Sequence, residues 1–573
     1  MSSIIFKRSL IAASLLVACQ ANAALYRVVD AVDASPSSLI TISATQAMGV
    51  AIQPGAQHGS MGCFGTDCGT GSDYKMAVEK RVNDADGFSY REEVPFAMDH
   101  TFQYVDPSSS NGQSLFLEYC DSELKYSTCD AWANKHYLPW GQEKDGSNKS
   151  NAQVYVEGSS ADYNKTDGNS VINSLEGAAV STPQAVGNNS DWGDGIEQRN
   201  KAFSLNGTNT DTKVDDPIYV QSRAFYSNGN YTVGSVSRSG SNNIGTFYSS
   251  KPAIWSGSAL TELPWGGDNS NITASVSSNN AFAEGSIRSF VIKNSKIYAV
   301  GYNTYDSTNY YMDATVFVGS DSSDITQPWT WNQVQYAQSK QGDTVTYSNS
   351  VLTAVNDNLV AIGEAKYIGG IHPSGASANK LFVVNNVSDS TPRASYLSGG
   401  IFFSSAGGKM GAINNYNEIV GQVDAEDTRE VDGKPRRVRG FIDPYNGTGT
   451  DSTRRAIFEN KAWWLDDLTN GGEYSSANNA FRILDATGIN DDGVISATAI
   501  KCAGGYSSTN DYATCDGIES TVAVKLVPID GATSSDIDAR EHSYPKVDKK
   551  GGSFGLFGLA ALGLFGIRRK LKS

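Results

Sequence analysis

The chain has 573 residues, 57 of them glycine, with 10% aromatic and only 18% charged residues. That profile suits a turn-rich all-β protein and disfavours a helical one. The formal charge of −16 becomes −22 for the body once the two basic ends are set aside, with Lys7 and Arg8 at one and Arg568, Arg569, Lys570 and Lys572 at the other. A surface this acidic repels phosphate backbones and excludes nucleic acid as a natural partner.

The first 23 residues read as a targeting segment. Lys7 and Arg8 precede an apolar run at 10–18, and Ala21-Asn22-Ala23 supplies a small-x-small site. Signal peptidase is expected to cut after Ala23. Residues 16–19, Leu-Val-Ala-Cys, also resemble a bacterial lipobox, which would retain a lipidated Cys19. Residues 24–150 read as a first β unit, opening with the strand-like LYRVVDAVD and carrying a disulfide-pinned insertion. Six cysteines remain after the signal. An even number in an exported chain predicts disulfides. Their grouping favours Cys63–Cys68, Cys120–Cys129 and Cys502–Cys515. Zinc is disfavoured, because no CxxC pair occurs and no histidine stands beside the cysteines.

Residues 83–87, NDADG, together with Glu93, resemble a truncated EF-hand loop. Asp84, Asp86 and Glu93 would be calcium ligands at positions 3, 5 and 12, but Val82 stands at position 1, so a plain β-turn is the better reading. No other cofactor is expected. Residues 141–215 are mostly polar, broken by VYVEG and KAFSL, and read as a divergent unit or a mobile excursion.

Over 151–530 a repeat emerges. Its clearest copies are AINNYNEIVG at 412–421 and INDDGVISA at 489–497, with looser copies at 226–234, 293–301 and 355–363. Asn and Asp supply turn chemistry, and β-branched residues open the strand that follows. The Gly or Ala closing each phrase falls at 234, 301, 363, 421 and 497. A second apolar strand follows each, as in KLFVVN and RGFID, and RRAIFENKAWWLDDL reads as one more. Units of this size predict a β-propeller of about six to seven irregular blades, with a β-solenoid as the alternative. Ring closure would pair residues 25–30 with 521–527 and hide two sheet edges. Residues 531–550 read as a polar linker. A hydrophobic helix at 554–567 follows Gly551 and Gly552.

INNYNEIVGQ and INDDGVISA resemble the core of the HAF repeat of bacterial extracellular proteins, although the His that names the repeat is absent here. The Gly-Gly pair, short apolar helix and basic end resemble a GlyGly-CTERM sorting tail. The whole layout resembles an uncharacterised family of exported gammaproteobacterial proteins, a domain of unknown function. These resemblances imply removal of the tail by a rhomboid-type protease after transient inner-membrane anchoring. The product would then reach the cell surface or medium.

Chemistry is sparse. No nucleophile elbow, HExxH or Walker loop occurs. His58, His100, His136, His372 and His542 are scattered. Two acidic pairs lie beside tryptophan, Asp191 with Asp194 and Asp466 with Asp467, as sugar-cleaving sites require, but turn formation and strand alternation account for them. The loop tyrosines Tyr302, Tyr305, Tyr310 and Tyr311 offer a polar-aromatic surface, or ordinary strand packing. The leading reading is therefore a surface or secreted binding module for a glycan or another surface protein. A hydrolase with carboxylates at the propeller mouth and a structural envelope protein are the alternatives.

Overall fold

The structure is a computed structural model. It describes the chain from 24 to 542 outside 33–38, 56–57, most of 83–151, 165–167, 178–182, 192–195, most of 206–220, 242–245, 267–282, 306–309, 323, 342–343, 348–349, 367–378 and 429–435. Ala23, Asp84, Asp86, Glu93, Cys120, Asp194, Gly551 and Gly552 therefore lie outside the described residues. Among the described residues no helix is long and apolar enough to cross a membrane.

Seven antiparallel sheets close into a seven-bladed β-propeller. The first strands of the blades are Gln46–Ile52, Ser170–Glu176, Gln221–Ser227, Ser286–Lys293, Ser350–Val355, Gly408–Ile413 and Phe481–Ile489. Among the described residues blades 1 and 2 have three strands and the others four. The fourth strand of blade 7 is the N-terminal Tyr26–Asp30, paired with Glu519–Pro528 so that Tyr26 faces Pro528 and Asp30 faces Val524. The ring is thus closed by joining the two ends of the chain, as its strand pattern predicts: the C-terminal strand is paired on both sides, and the short N-terminal strand forms the outer edge of blade 7.

The repeat phrase has a packing cause. Every first strand carries a β-bulge near its middle. In blades 2 to 6 the bulge pushes a carbonyl towards a glycine on the second strand. A Cβ at Gly421 would lie 2.2 Å from the Lys409 oxygen, and one at Gly187 would lie 1.9 Å from the Val171 oxygen. Glycine is the residue that admits so close a backbone. In blades 2, 5 and 6 the space above it is taken by a third-strand ring: Phe203 faces Gly187, Phe382 faces Gly363 and Phe441 faces Gly421. All three rings are buried, and each contributes about 1.5–3 kcal/mol by leaving water. Blade 2 lies in the stretch whose sequence read as divergent. Its KAFSL is a standard third strand.

Between blades the sheets meet through apolar layers. Val420 and Ile442 of blade 6 pack on Ile483, Ala486 and Ala497 of blade 7, for example. Two expectations need correcting. The run RRAIFENKAWWLDDL is not one strand: it forms a helix at Ser452–Ile457, a two-residue strand at Trp463–Trp464 and a 3-10 helix at Leu465–Thr469. Asp451 caps the helix by accepting from the Thr453 and Arg454 amides, which a strand assignment missed. Residues 531–542 are not a polar linker either. Ala532 is buried in the apolar cluster of blade 7, and buried Arg540 is held through its amide by the Asp467 carboxylate.

Candidate functional site

In blades 3 to 7 a tight turn joins the first strand to the second, and in blade 1 a longer connection over 53–75 does so; these lie on one face of the ring, the turn face. By the same antiparallel alternation the second strands end, and the third strands begin, at the opposite face, the loop face.

On the turn face the asparagine of the repeat phrase has two tasks. The Asn414 Oδ1 accepts from the Tyr416 and Glu418 amides, at 3.0 Å each, and so shapes its own turn. Its Nδ2 donates to the Asn490 carbonyl of the next blade at 3.1 Å. Asn356 donates likewise to the Asn414 carbonyl at 2.9 Å, and Asn490 to the Gln53 carbonyl at 3.2 Å. Four consecutive blade turns, from blade 5 through 7 to 1, are thus linked by one residue type. The turn needs a left-handed residue three places on, supplied by Leu359, Asn417 and Gly493, with φ of 65°, 61° and 86°. Beneath this relay the buried Arg454 makes a bidentate pair with Glu418, at 2.7 and 2.8 Å, and donates to the Asp491 carbonyl at 2.5 Å.

The loop face at blades 6 and 7 is built from charge. Residues 503–518 form a loop of blade 7 whose base is cross-linked by Cys502–Cys515. Four arginines from three segments bind its carbonyls. Arg437 and Arg439 donate to the Asp511 oxygen, at 3.3 and 3.4 Å. Arg482 donates to those of Asn510 and Ser508, at 3.0 and 3.3 Å. Arg540 donates to that of Thr509 at 3.0 Å. His542 closes the cluster between two acids, with Nδ1 2.5 Å from Asp511 and Nε2 2.9 Å from Asp467. Burial opposes the charged imidazole, but the hydrogen bonds and charges of Asp467 and Asp511 outweigh it and carry its pKa up to about 10. Burial and the neighbouring Arg540 lower Arg482 to about 10.

The pair Asp466–Asp467 is therefore committed to structure. Both are buried. Asp466 lies 3.3 Å from Arg439 and accepts from the Ile483 amide, while Asp467 accepts from the Arg540 amide. Asp191 ends a strand of blade 2. Among the proposed surface tyrosines, Tyr302 and Tyr310 are buried, so packing accounts for them. The tyrosines that matter on the loop face are others. Half-exposed Tyr506 and Tyr512 carry arginine over their rings, Arg482 at 4.0 Å and Arg437 at 4.5 Å. Their hydroxyls donate to Glu519 and Glu426, at 2.8 and 3.1 Å. The signal for them was the short disulfide loop itself, a 13-residue separation that holds two Tyr, two Ser and one Asn.

Cys63–Cys68 is bonded as expected, and Cys129 is in a disulfide while Cys120 lies outside the described residues. One sequence inference about the first pair is overturned. A histidine does stand beside these cysteines, because the chain from 58 to 68 folds back and brings the His58 Nδ1 to 3.9 Å from the Cys68 sulfur.

The sequence pattern of a protein of unknown function, DUF3466, matches residues 261–570, more than half of the chain. The chain belongs to the DUF3466 family. The DUF3466 match takes in blades 4 to 7, apart from the N-terminal strand that closes blade 7, and it includes the asparagine relay, the arginine-bound loop and His542. No curated protein matches the chain.

Proposed function

We propose that this DUF3466 protein is an exported interaction module that binds a glycan through the loop face of blades 6 and 7. The observation that carries the reading is the pair Tyr506 and Tyr512, presented on a cross-linked loop and backed by arginine. Rigid aromatic rings bordered by paired polar groups bind with little ordering cost. The nearby carboxylates are already paired with Arg439, Arg540 and His542, which weighs against hydrolysis there. Disulfides agree with export. Cleavage after Ala23 and removal of the tail after Gly552 belong to the same reading, and mass spectrometry of the termini tests them.

The binding test is a glycan array probed with the full chain, followed by titration of the best binder. Tyr506→Ala and Tyr512→Ala should each weaken binding about tenfold, since a ring contact in a binding centre is worth more than about 1 kcal/mol. Melting temperature should stay within a degree or two. Binding that survives both substitutions, or no glycan bound at all, would sink the assignment.

A further inference from the structure

The first turn of blade 1 holds a group whose chemistry differs from the rest of the turn face. It gathers His58, Cys63 and Cys68, whose ligand atoms lie within 4.8 Å of one another. Asp492 of blade 7 joins them. Its Oδ1 is 3.5 Å from the His58 Nδ1 and accepts from the His58 amide at 3.0 Å. The Tyr74 hydroxyl donates to its other oxygen at 2.5 Å and fixes the carboxylate plane. The Cys63 amide donates to the Asp492 carbonyl at 3.0 Å, so this one residue holds two of the others in place. Gly62 lets the chain come so near: its φ is 54°, and a Cβ there would lie 2.6 Å from the Asp492 Cα.

We infer that reduction of Cys63–Cys68 converts this turn into a tetrahedral zinc site formed by His58, Cys63, Cys68 and Asp492. Zinc bonds of about 2.0–2.3 Å place ligand atoms of one tetrahedral ion roughly 3.3–3.8 Å apart. The His58–Asp492 and His58–Cys68 separations, 3.5 and 3.9 Å, are already close to that spacing. The sulfurs must part by a further ångström or two. Cys63 is buried and tied to Asp492, while Cys68 sits among the exposed residues Gly65, Thr66, Asp67 and Gly69, so Cys68 is the one that moves. Tyr74 is the outer partner that orients the carboxylate, as such sites require. The step balances simply. A dithiol passes two electrons and two protons to the disulfide and becomes a disulfide itself; zinc then displaces one proton from each new thiol. The oxidised protein holds the bond, and the reduced protein holds the metal.

The test uses the full chain with Cys120, Cys129, Cys502 and Cys515 changed to Ser, titrated with zinc alone before and after reduction by a phosphine. One zinc per chain is expected after reduction and none before. Cobalt in place of zinc should give the thiolate-to-metal absorption of a tetrahedral site. His58→Ala keeps the disulfide and should lower zinc affinity at least tenfold. If the four-Ser variant does not fold, the wild-type chain serves: zinc should protect Cys63 and Cys68 from alkylation and leave Cys502 and Cys515 reactive. Equal zinc binding by oxidised protein or by His58→Ala, no binding after reduction, or unfolding of the ring on reduction would each overturn the inference.

Discussion

The two faces of the ring are held by opposite means. The turn face uses neutral amides at one repeated position, Asn356, Asn414 and Asn490, each passing a hydrogen bond to the next blade. The loop face at blades 6 and 7 uses charges drawn once each from distant segments, with Arg439, Asp466, Arg482, Asp511, Arg540 and His542 meeting around a single loop. A repeated link must work in every blade it joins, and a neutral amide with one donor and one acceptor task does so without accumulating charge. A single-use cluster can spend ions, because each needs only one set of partners. The first kind of link leaves a trace in sequence, and the second does not.

The largest expected effect tests whether either face stands without closure. Deleting residues 24–31 removes the fourth strand of blade 7 together with the buried Leu25 and Tyr26. The seven-blade ring should lose its cooperative melt. A deletion that melts like the parent would show that closure is dispensable and that the links between faces carry the fold.

Next in size is a fully buried ion pair of the turn face, Arg454–Glu418. Arg454→Ala leaves Glu418 without its guanidinium, and breaking such a pair costs about 3–5 kcal/mol. Replacing both by methionine should recover much of that loss. If the double variant is as unstable as the single one, the pair holds the turn through its bonds to the Asp491 and Ser60 carbonyls rather than through Glu418.

Asn414→Ala follows. It strips one turn of its shaping acceptor and the next blade of a donor, and leaving such buried groups unpaired costs about 1–3 kcal/mol per group. Urea melts of Asn356→Ala, Asn414→Ala and Asn490→Ala should give similar losses, since the three share one geometry. Widely different losses would mean that the relay is a coincidence of three turns and not a common device.

The same contrast explains what could be read from the chain alone. The strand phrases, the closing glycines at 234, 301, 363 and 421, and the pairing of the two ends were legible, because the bulge and its glycine recur from blade to blade and both end segments read as strands. Blade 2 was missed because its phrase lacks the asparagine turn, although Gly187 and Phe203 keep the packing half of the pattern. The segment 531–542 was misread because DGATSSDIDAREH is polar. Polarity looks like solvent exposure unless the partners are known, and those of Arg540 and His542 lie 31 to 75 residues away. Asp466 and Asp467 drew attention as a pair beside tryptophan, yet what decides their role is three arginine segments and a histidine that no local pattern connects.

The smallest effect is the most diagnostic for the loop face, because it depends on pH. His542 has a folded pKa of about 10, above the unfolded value near 6.5. A raised value means that its contribution is fully present below the unfolded pKa and is lost as pH rises through the folded one. Asp511 is shifted the other way. Burial opposes its charge, but the His542 hydrogen bond and Arg439 outweigh it and lower its pKa, so its share is lost as pH falls through that lowered value. The link between 542 and the ring should therefore be strongest from about pH 5 to 6.5 and weaken steadily towards pH 10. His542→Asn keeps a polar side chain and removes the charge. The melting-temperature gap between the parent and this variant should be widest near pH 6, narrower at pH 8 and nearly closed at pH 10, while Asn414→Ala should show the same gap at all three. A His542 gap that stays flat across that range would mean that the segment is held by Arg540 and backbone contacts alone, and the contrast between a neutral face and a charged one would then rest on the arginines.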